Sequence, residues 1–133
     1  MVKLLLKMGY GGAEQRGRRI GGSGDGGVDG VIDQDALGLD RIYGQAKRTD
    51  GYTVGRETMQ AFVGALHGVE ASRGVFITTS IFTTGARQFP ENVPSRIILT
   101  DAARLVALMI MYRVGVQVKQ SYDVVELDED FFE

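Results

Sequence analysis

The spacing of apolar residues along the chain predicts alternating helices and strands. Apolar residues three or four positions apart mark helices, whereas short apolar runs between glycine-rich or polar breaks mark strands. In the first half these patterns predict, in order, a helix over 2–8 that ends at Gly9, a loop over 11–26, a strand over 28–32, a turn over 33–40 and a second strand over 41–47. The two strands should pair as an antiparallel hairpin.

The second half repeats the alternation with longer helices. The predicted elements are a helix over 54–69, a buried strand over 75–79, a short helix over 80–89 ended by Pro90 and Pro94, a buried strand over 96–99, a helix over 101–112 capped by Asp101, and an edge strand over 114–125. Strands separated by helices imply parallel pairing with helical crossovers. Together with the hairpin, these elements predict a one-domain α/β fold with a mixed sheet of about five strands flanked by helices.

The amino-acid composition argues against several kinds of covalent link, metal site and catalytic site. The chain of 133 residues contains no cysteine and a single histidine, His67. Disulfides and thiolate metal sites are therefore excluded, and histidine-rich zinc chemistry and a Ser-His-Asp relay are both poorly supplied. No stretch approaches the roughly 20 apolar residues that span a bilayer, and the start of the chain lacks the features of a secretory signal. A cytoplasmic location with no membrane partner is the expectation.

The distribution of charge leaves a nucleic-acid partner open. The net charge is −2, but five acids and no basic residue lie in the last eight positions, so the rest of the chain carries +3. Basic residues flank both segments described next: Arg16, Arg18, Arg19, Lys47, Arg48 and Arg56. Phosphate binding is driven by lysine and arginine, so this clustering weakens the objection raised by the net charge, although charge alone decides nothing.

Two segments carry the candidate chemistry. The first is the glycine-rich run 24–30, which contains Asp29, and the second is Gln45-Ala46-Lys47, which begins sixteen positions after that acid. A carboxylate suits a divalent cation such as Mg²⁺, and the Ala46 carbonyl could add a ligand. Gln45 and Lys47 lie two apart in a strand and therefore share a face. Lys47 could orient an attacking water and stabilise charge on a phosphate, as a metal-dependent phosphodiesterase site requires.

Two other functions of the glycine-rich segment, dinucleotide binding and calcium binding, have less support from the sequence. Residues 22–27 match the dinucleotide-binding pattern G-x-G-x-x-G, but that pattern follows a strand and opens a helix, whereas this run leads into an apparent strand. A nucleotide-binding module would need a helix beginning near Gly24. Calcium binding is also disfavoured, because the acids do not have EF-hand spacing: Asp25, Asp29, Asp33 and Asp35.

Both segments resemble a known family. Residues 24–30 together with 42–48 look like the catalytic motifs of the Mrr-type restriction endonucleases, which belong to the PD-(D/E)xK nuclease superfamily in the variant where glutamine replaces the second acid. Residues 7–10, 54–66 and 74–83 resemble further parts of that catalytic domain. The resemblance implies a restriction-endonuclease-like three-layer α/β fold with a central mixed sheet.

The resemblance also implies an activity and a set of site residues. The implied activity is Mg²⁺-dependent endonucleolytic hydrolysis of DNA phosphodiester bonds, as in the type IV (modification-dependent) restriction enzymes, with Mn²⁺ as a substitute ion. The implied partner is double-stranded DNA, which could be methylated. The implied catalytic residues are Asp29, Gln45 and Lys47, and the implied metal ligands are Asp29, Gln45 and the backbone carbonyl of Ala46. Residues expected to support the site or contact DNA are Asp25, Arg48, Gln60, Thr79 and Ser80. A homodimer is compatible with this activity, because cutting both strands with one site per chain often needs two copies.

The chain departs from the family in two respects. The family's first helix carries a glutamate upstream of the segment that corresponds to residues 7–10, and a separate domain commonly recognises modified DNA. We therefore expect residues 1–133 to form a single nuclease catalytic domain without the recognition domain and without most of the first helix. The missing glutamate supports an alternative function, a catalytically silent module that binds DNA or assembles with a partner.

Overall fold

The computed structural model describes residues 1–20, 28–49 and 51–115. The helices are α1 (Val2–Lys7), α2 (Arg56–Gly68), α3 (Thr84–Gln88) and α4 (Ala102–Tyr112), with a short 3₁₀ helix over Phe89–Asn92. The strands are β1 (Gly17–Arg19), β2 (Gly30–Asp33), β3 (Arg41–Lys47), β4 (Arg73–Thr78) and β5 (Arg96–Thr100). Among the described helices, none is long and apolar enough to cross a membrane.

The five strands form one mixed sheet in the order β1-β2-β3-β4-β5. β1, β2 and β3 run antiparallel to their neighbours, while β3, β4 and β5 are parallel. The predicted hairpin and the predicted parallel crossovers are therefore confirmed. The parallel strands bring their carboxyl ends to one edge of the sheet, which is where ligands bind in open α/β folds.

The larger core lies between the sheet and α2. Phe62 of α2 meets Phe76 of β4 edge-on, with ring centroids 5.2 Å apart, and neither ring is exposed. Phe82 packs against Phe76 at 5.8 Å in a similar orientation. Edge-to-face contacts of this kind stabilise the fold beyond the contribution from burying the three apolar rings. This layer holds β3 and β4 in a fixed position beneath α2.

The opposite face of the sheet is covered by α1 and α4. Leu4, Leu108 and Val114 form the buried cluster between them, so the molecule has three layers, as the family resemblance implied. Asp101 begins α4 by accepting the Arg104 amide N–H at 3.0 Å. That hydrogen bond, together with the Arg87 guanidinium at 3.2 Å, lowers the pKa of the Asp101 carboxyl.

The expected loop over 11–26 is wrong in part, because it contains β1. The strand consists of glycine and two arginines and lacks the apolar alternation that predicts a strand. Its pairing with β2 creates it, for example between Arg18 and Val31. The guanidinium of Arg16 strengthens the junction by donating to the carbonyls of Asp33 at 3.2 Å and Gln34 at 2.9 Å.

The expected helix over 80–89 is also shorter than predicted. α3 begins only at Thr84, where the Thr83 hydroxyl accepts the Ala86 amide N–H at 3.1 Å. The preceding residues are extended, because Phe82 forms a bridge with Val54. Pro90 does not stop the helical path but lies in the first turn of the 3₁₀ helix, where no amide hydrogen is required. The expected edge strand over 114–125 lies outside the described residues from position 116 onward.

Candidate active site

Asp29 is held just ahead of β2 by hydrogen bonds on both sides. Its amide donates to the Gly44 carbonyl of β3 at 2.7 Å, and its carbonyl accepts the Ile20 amide N–H at 2.8 Å. Gly30 is also paired with Gly44, so two consecutive residues face one residue of β3, as in a β-bulge. A bulge redirects a side chain from the regular alternation, and here it turns the acid towards the end of β3.

The Asp29 carboxylate joins the two motifs. Its Oδ2 atom accepts the Ala46 amide N–H at 2.9 Å, a contact across 17 positions of sequence. The N–H and C=O of one strand residue point to the same side, so the Ala46 carbonyl faces the edge of β3 on which Asp29 lies. One carboxylate and one backbone carbonyl are thus directed towards the same region.

Gln45 and Lys47 occupy alternate positions of β3 and lie on the face covered by α2. Gln45 is opposite Phe76 in the parallel register and only 7% exposed. Its amide makes no hydrogen bond to any residue that the structure describes. Lys47 is the last residue of β3 and is exposed. The Gln45 amide atoms are not among the fully buried polar atoms that lack a partner, so the amide keeps access to the surface, where a ligand could bind it.

The residues predicted to support the site do not all lie beside it. Thr79 and Ser80 follow β4 beside the end of β3, and the Thr79 amide donates to the Lys47 carbonyl at 3.4 Å. Arg48 is exposed directly after β3. Gln60 is exposed on α2, and no hydrogen bond among the described residues links it to the others. Asp25 lies outside the described residues.

The amino end of α1 packs against the two glycines beside Asp29. Gly30 and Gly44 leave room for Met1, whose side chain would collide with a Cβ atom at either position. Burial and the Arg19 guanidinium lower the pKa of the Met1 amino group, while the Asp29 carboxylate acts in the opposite direction. Asp29 is therefore within electrostatic reach of the start of α1.

Thr49 was not among the residues predicted for the site, although it contacts one of them. Its backbone N–H donates to the Thr79 hydroxyl at 3.0 Å, which ties the end of β3 to the end of β4. The two residues are 30 positions apart, and neither has a sequence signal for the contact. Only the parallel register places Lys47 opposite Thr78 and so brings the following residues together.

The predicted site draws on oxygen donors, and the carboxylate that the described residues place there is that of Asp29. Among the described residues there is no group of three or more histidine, cysteine, aspartate or glutamate side chains that could hold a metal. The available donors are the Asp29 carboxylate, the Gln45 amide oxygen and the Ala46 carbonyl, with Lys47 beside them.

The glycine-rich segment does not lead into a helix. β2 begins at Gly30, where a dinucleotide fingerprint would need a helix. The sheet order and the position of these residues define the class, an α/β protein with the restriction-endonuclease fold.

Comparison with known proteins shows the family within that class. The Mrr catalytic-domain model, described as a restriction endonuclease, matches residues 1–109. The chain belongs to this family. It is 51% identical over 133 residues to the "Type IV methyl-directed restriction enzyme EcoKMrr" of Escherichia coli (strain K12). That alignment covers the whole of this chain and 43% of the relative, so the chain spans less than half of the relative's length.

Two solved restriction endonucleases have a similar fold. One is MspJI in complex with a 27-mer oligonucleotide, with a TM-score of 0.56 and 24% identity over 80% of this chain and 24% of that one. The other is the DNA modification-dependent restriction endonuclease AspBHI, with a TM-score of 0.57 and 23% identity over 76% of this chain and 27% of that one. At this identity the likeness establishes the fold.

Proposed function

We propose that residues 1–133 form a catalytic domain that hydrolyses DNA phosphodiester bonds with Mg²⁺, or with Mn²⁺ in its place. The observation that carries the proposal is the hydrogen bond of 2.9 Å between the Asp29 carboxylate and the Ala46 amide. The contact lies between the acid of the glycine-rich segment and the backbone of the Gln-Ala-Lys segment, which supports one site formed by both motifs.

The donor set fits a hard divalent cation. Mg²⁺ prefers oxygen ligands and is commonly held by one or two carboxylates together with waters and substrate phosphates. One oxygen of Asp29 is engaged by Ala46, which leaves the other carboxylate oxygen available. The Gln45 amide has no hydrogen-bond partner among the described residues and would gain one from a ligand. Asp29, Gln45 and the Ala46 carbonyl would therefore hold the ion.

Each residue then has a distinct task at the phosphate. A bound Mg²⁺ ion supplies stabilisation of negative charge on phosphorus and activation of water. Asp29 and Gln45 fix the position of the phosphate relative to β3. Lys47, exposed at the strand end, orients the attacking water by hydrogen bonding and stabilises the charge that develops on the phosphate oxygens. Arg48 and Ser80, on the same edge of the sheet, would contact the DNA backbone.

The test is cleavage of supercoiled plasmid, methylated and unmethylated, with Mg²⁺, with Mn²⁺ and with a chelator. We expect nicking that requires the divalent ion and falls roughly 100-fold or more in Asp29→Asn and in Lys47→Ala, because each change removes charge stabilisation at the reacting phosphate. Thermal melting should show both variants folded.

Matched substitutions control for the loss of a charge. Asp40→Asn alters an acid that pairs with Arg73 at 3.2 Å near the amino ends of β3 and β4. Lys7→Ala alters an exposed lysine at the end of α1. Both should nick like the unaltered protein. Equal nicking by the Asp29 and Lys47 variants would refute the assignment of the site.

The single carboxylate supports one alternative, a silent module that binds DNA or takes part in assembly. Fewer acidic ligands mean weaker metal binding, and the described residues contain no group of three or more histidine, cysteine, aspartate or glutamate side chains that could hold a metal. This alternative predicts salt-sensitive retention of DNA and no cleavage with any divalent ion. The plasmid assay separates the two functions directly.

The proposal extends to substrate, location and assembly by analogy with the E. coli relative. That protein is described as a methyl-directed type IV restriction enzyme. We infer that methylated double-stranded DNA is the substrate, that the protein acts in the cytoplasm, and that two copies of the site cut the two strands.

A further inference from the structure

Thr79 holds the chain that follows Lys47 through its side chain. Its hydroxyl accepts the Thr49 amide N–H at 3.0 Å and donates to the Thr49 carbonyl at 3.4 Å. The regular pairing of β3 with β4 ends one step earlier, at Lys47 and Thr78. A side chain therefore continues the ladder where the backbone of β4 turns away. We call this set of contacts the Thr79 clasp.

The clasp holds the backbone at Lys47 and directly after it. The Thr79 amide donates to the Lys47 carbonyl at 3.4 Å, while its hydroxyl holds Thr49 two residues further on. The Thr49 hydroxyl in turn donates to the Tyr52 carbonyl at 3.0 Å, which secures the turn leading to α2. The backbone from residue 47 to residue 49 is thus anchored to the end of β4.

The hydroxyl of Thr79 has no hydrogen left for a phosphate. A threonine hydroxyl carries one donor, and here the Thr49 carbonyl receives it. A direct donor contact to DNA would cost this bond, whereas the bond that the hydroxyl accepts from the Thr49 amide would remain. The geometry fits a role that acts through the neighbouring strand.

We propose that Thr79 is a positioning residue for Lys47, because its hydroxyl and amide fix the backbone on which the lysine is carried. The inference rests on the proposed nuclease function. A lysine side chain has a flexible four-carbon stem, so the direction in which its ammonium group points depends on a backbone that does not move. Small displacements of a group at the reacting centre reduce the rate of chemistry more than they weaken substrate binding.

The experiment compares Thr79→Val, which keeps the shape and removes the hydroxyl, with Thr79→Ser, which keeps the hydroxyl. Ser95→Ala is the matched control, since Ser95 donates to the Ala71 carbonyl at 3.2 Å near the amino ends of the parallel strands. With Mg²⁺ and plasmid DNA, we expect Thr79→Val to lower kcat on the order of tenfold with KM unchanged. Thr79→Ser should retain most of the activity, and Ser95→Ala should behave like the unaltered protein.

Amide hydrogen exchange tests the clasp without any activity. We expect the Thr49 amide to exchange faster in Thr79→Val and to stay protected in Thr79→Ser and Ser95→Ala. Unchanged exchange at Thr49 would overturn the clasp even if the protein cleaves no DNA, whereas absence of cleavage by the unaltered protein would overturn the proposed function.

Three kinetic results would overturn the positioning role. One is an unchanged kcat in Thr79→Val. The second is a rise in KM alone, which would make Thr79 a DNA contact. The third is an equal loss of activity in Thr79→Val and Ser95→Ala, which would indicate a general loss of stability.

Discussion

Gln45 stands where related nucleases more often carry an acid, and its surroundings explain how an amide can serve. The side chain is 7% exposed and lies beside Phe76 under α2. A carboxylate without a metal would be costly there, whereas a neutral amide is less so. The amide oxygen can still bind a cation. In the proposed site, an amide at this position would bind a metal less tightly than a carboxylate and would keep the apolar layer beneath α2 stable when no metal is bound.

Replacing Gln45 with glutamate tests whether the amide lowers metal affinity and raises the stability of the metal-free protein. We expect Gln45→Glu to lower the melting temperature of the metal-free protein, because an ionised group is buried without a partner. Added Mg²⁺ should raise that temperature more than it does for the unaltered protein, and half-maximal nicking should need several-fold less Mg²⁺. Differential scanning fluorimetry across a Mg²⁺ titration measures both.

Gln45→Leu is the companion variant, since it keeps the bulk and removes the oxygen. It should be at least as stable as the unaltered protein and respond least to Mg²⁺. If Gln45→Glu and Gln45→Leu respond to Mg²⁺ alike, Gln45 is not a metal ligand.

At the scale of elements, β4 is the strand on which the site depends most. It pairs with β3 on one side and β5 on the other, and α2 packs directly on it. Gly74 permits the close approach of α2, since a Cβ atom there would lie 2.7 Å from Leu66 Cδ1 and 3.1 Å from Phe62 Cζ. Both neighbours are completely buried and have little room to move.

Adding a methyl group at Gly74 should therefore be destabilising. We expect Gly74→Ala to lower the free energy of unfolding by about 1–3 kcal/mol through overpacking. Gly64→Ala is the matched change on α2, because Gly64 is exposed and a Cβ atom there meets nothing within 4 Å. It should stabilise the protein by roughly 0.5–1 kcal/mol. Urea unfolding of both variants measures the two signs, and a stabilising Gly74→Ala would contradict the packing.

At the scale of the whole molecule, charge is divided along the chain. The last eight residues hold five acids, and the remainder carries +3. Basic residues near the site include Lys47 and Arg48, which follow directly from β3. Basic residues attract the negatively charged DNA backbone, and acidic residues repel it. Salt screens both effects, and at 0.1 M the screening length is about 10 Å.

Neutralising the terminal acids should tighten DNA binding. We expect a variant with amides at these five positions (Glu126→Gln, Asp128→Asn, Glu129→Gln, Asp130→Asn and Glu133→Gln) to bind duplex DNA more tightly at low salt. The gain should shrink as salt is raised. Fluorescence anisotropy titrations across a salt series measure it, and equal affinities at the lowest salt would show that these acids do not influence the DNA-binding surface.

Much of the fold and the identity of the site residues follow from local pattern. The runs that form β3, β4 and β5, and the apolar face of α2, can be recognised because burial imposes a period on neighbouring residues. The spacing of Asp29 from Gln45 and Lys47 is equally local, and it was sufficient for the resemblance to the Mrr family. These features depend on residues close together in sequence.

The tertiary structure decided what depends on partners far along the chain. β1 is a strand only because β2 lies beside it, since Gly17–Arg19 have no apolar alternation of their own. Asp29 reaches Ala46 because both it and Gly30 face Gly44. The Thr79 clasp exists because the parallel register of β3 and β4 brings residues 30 positions apart into contact. The sequence determined which side chains could form the site, and long-range pairing determined how they meet, because hydrogen bonds between strands connect residues without regard to their separation in sequence.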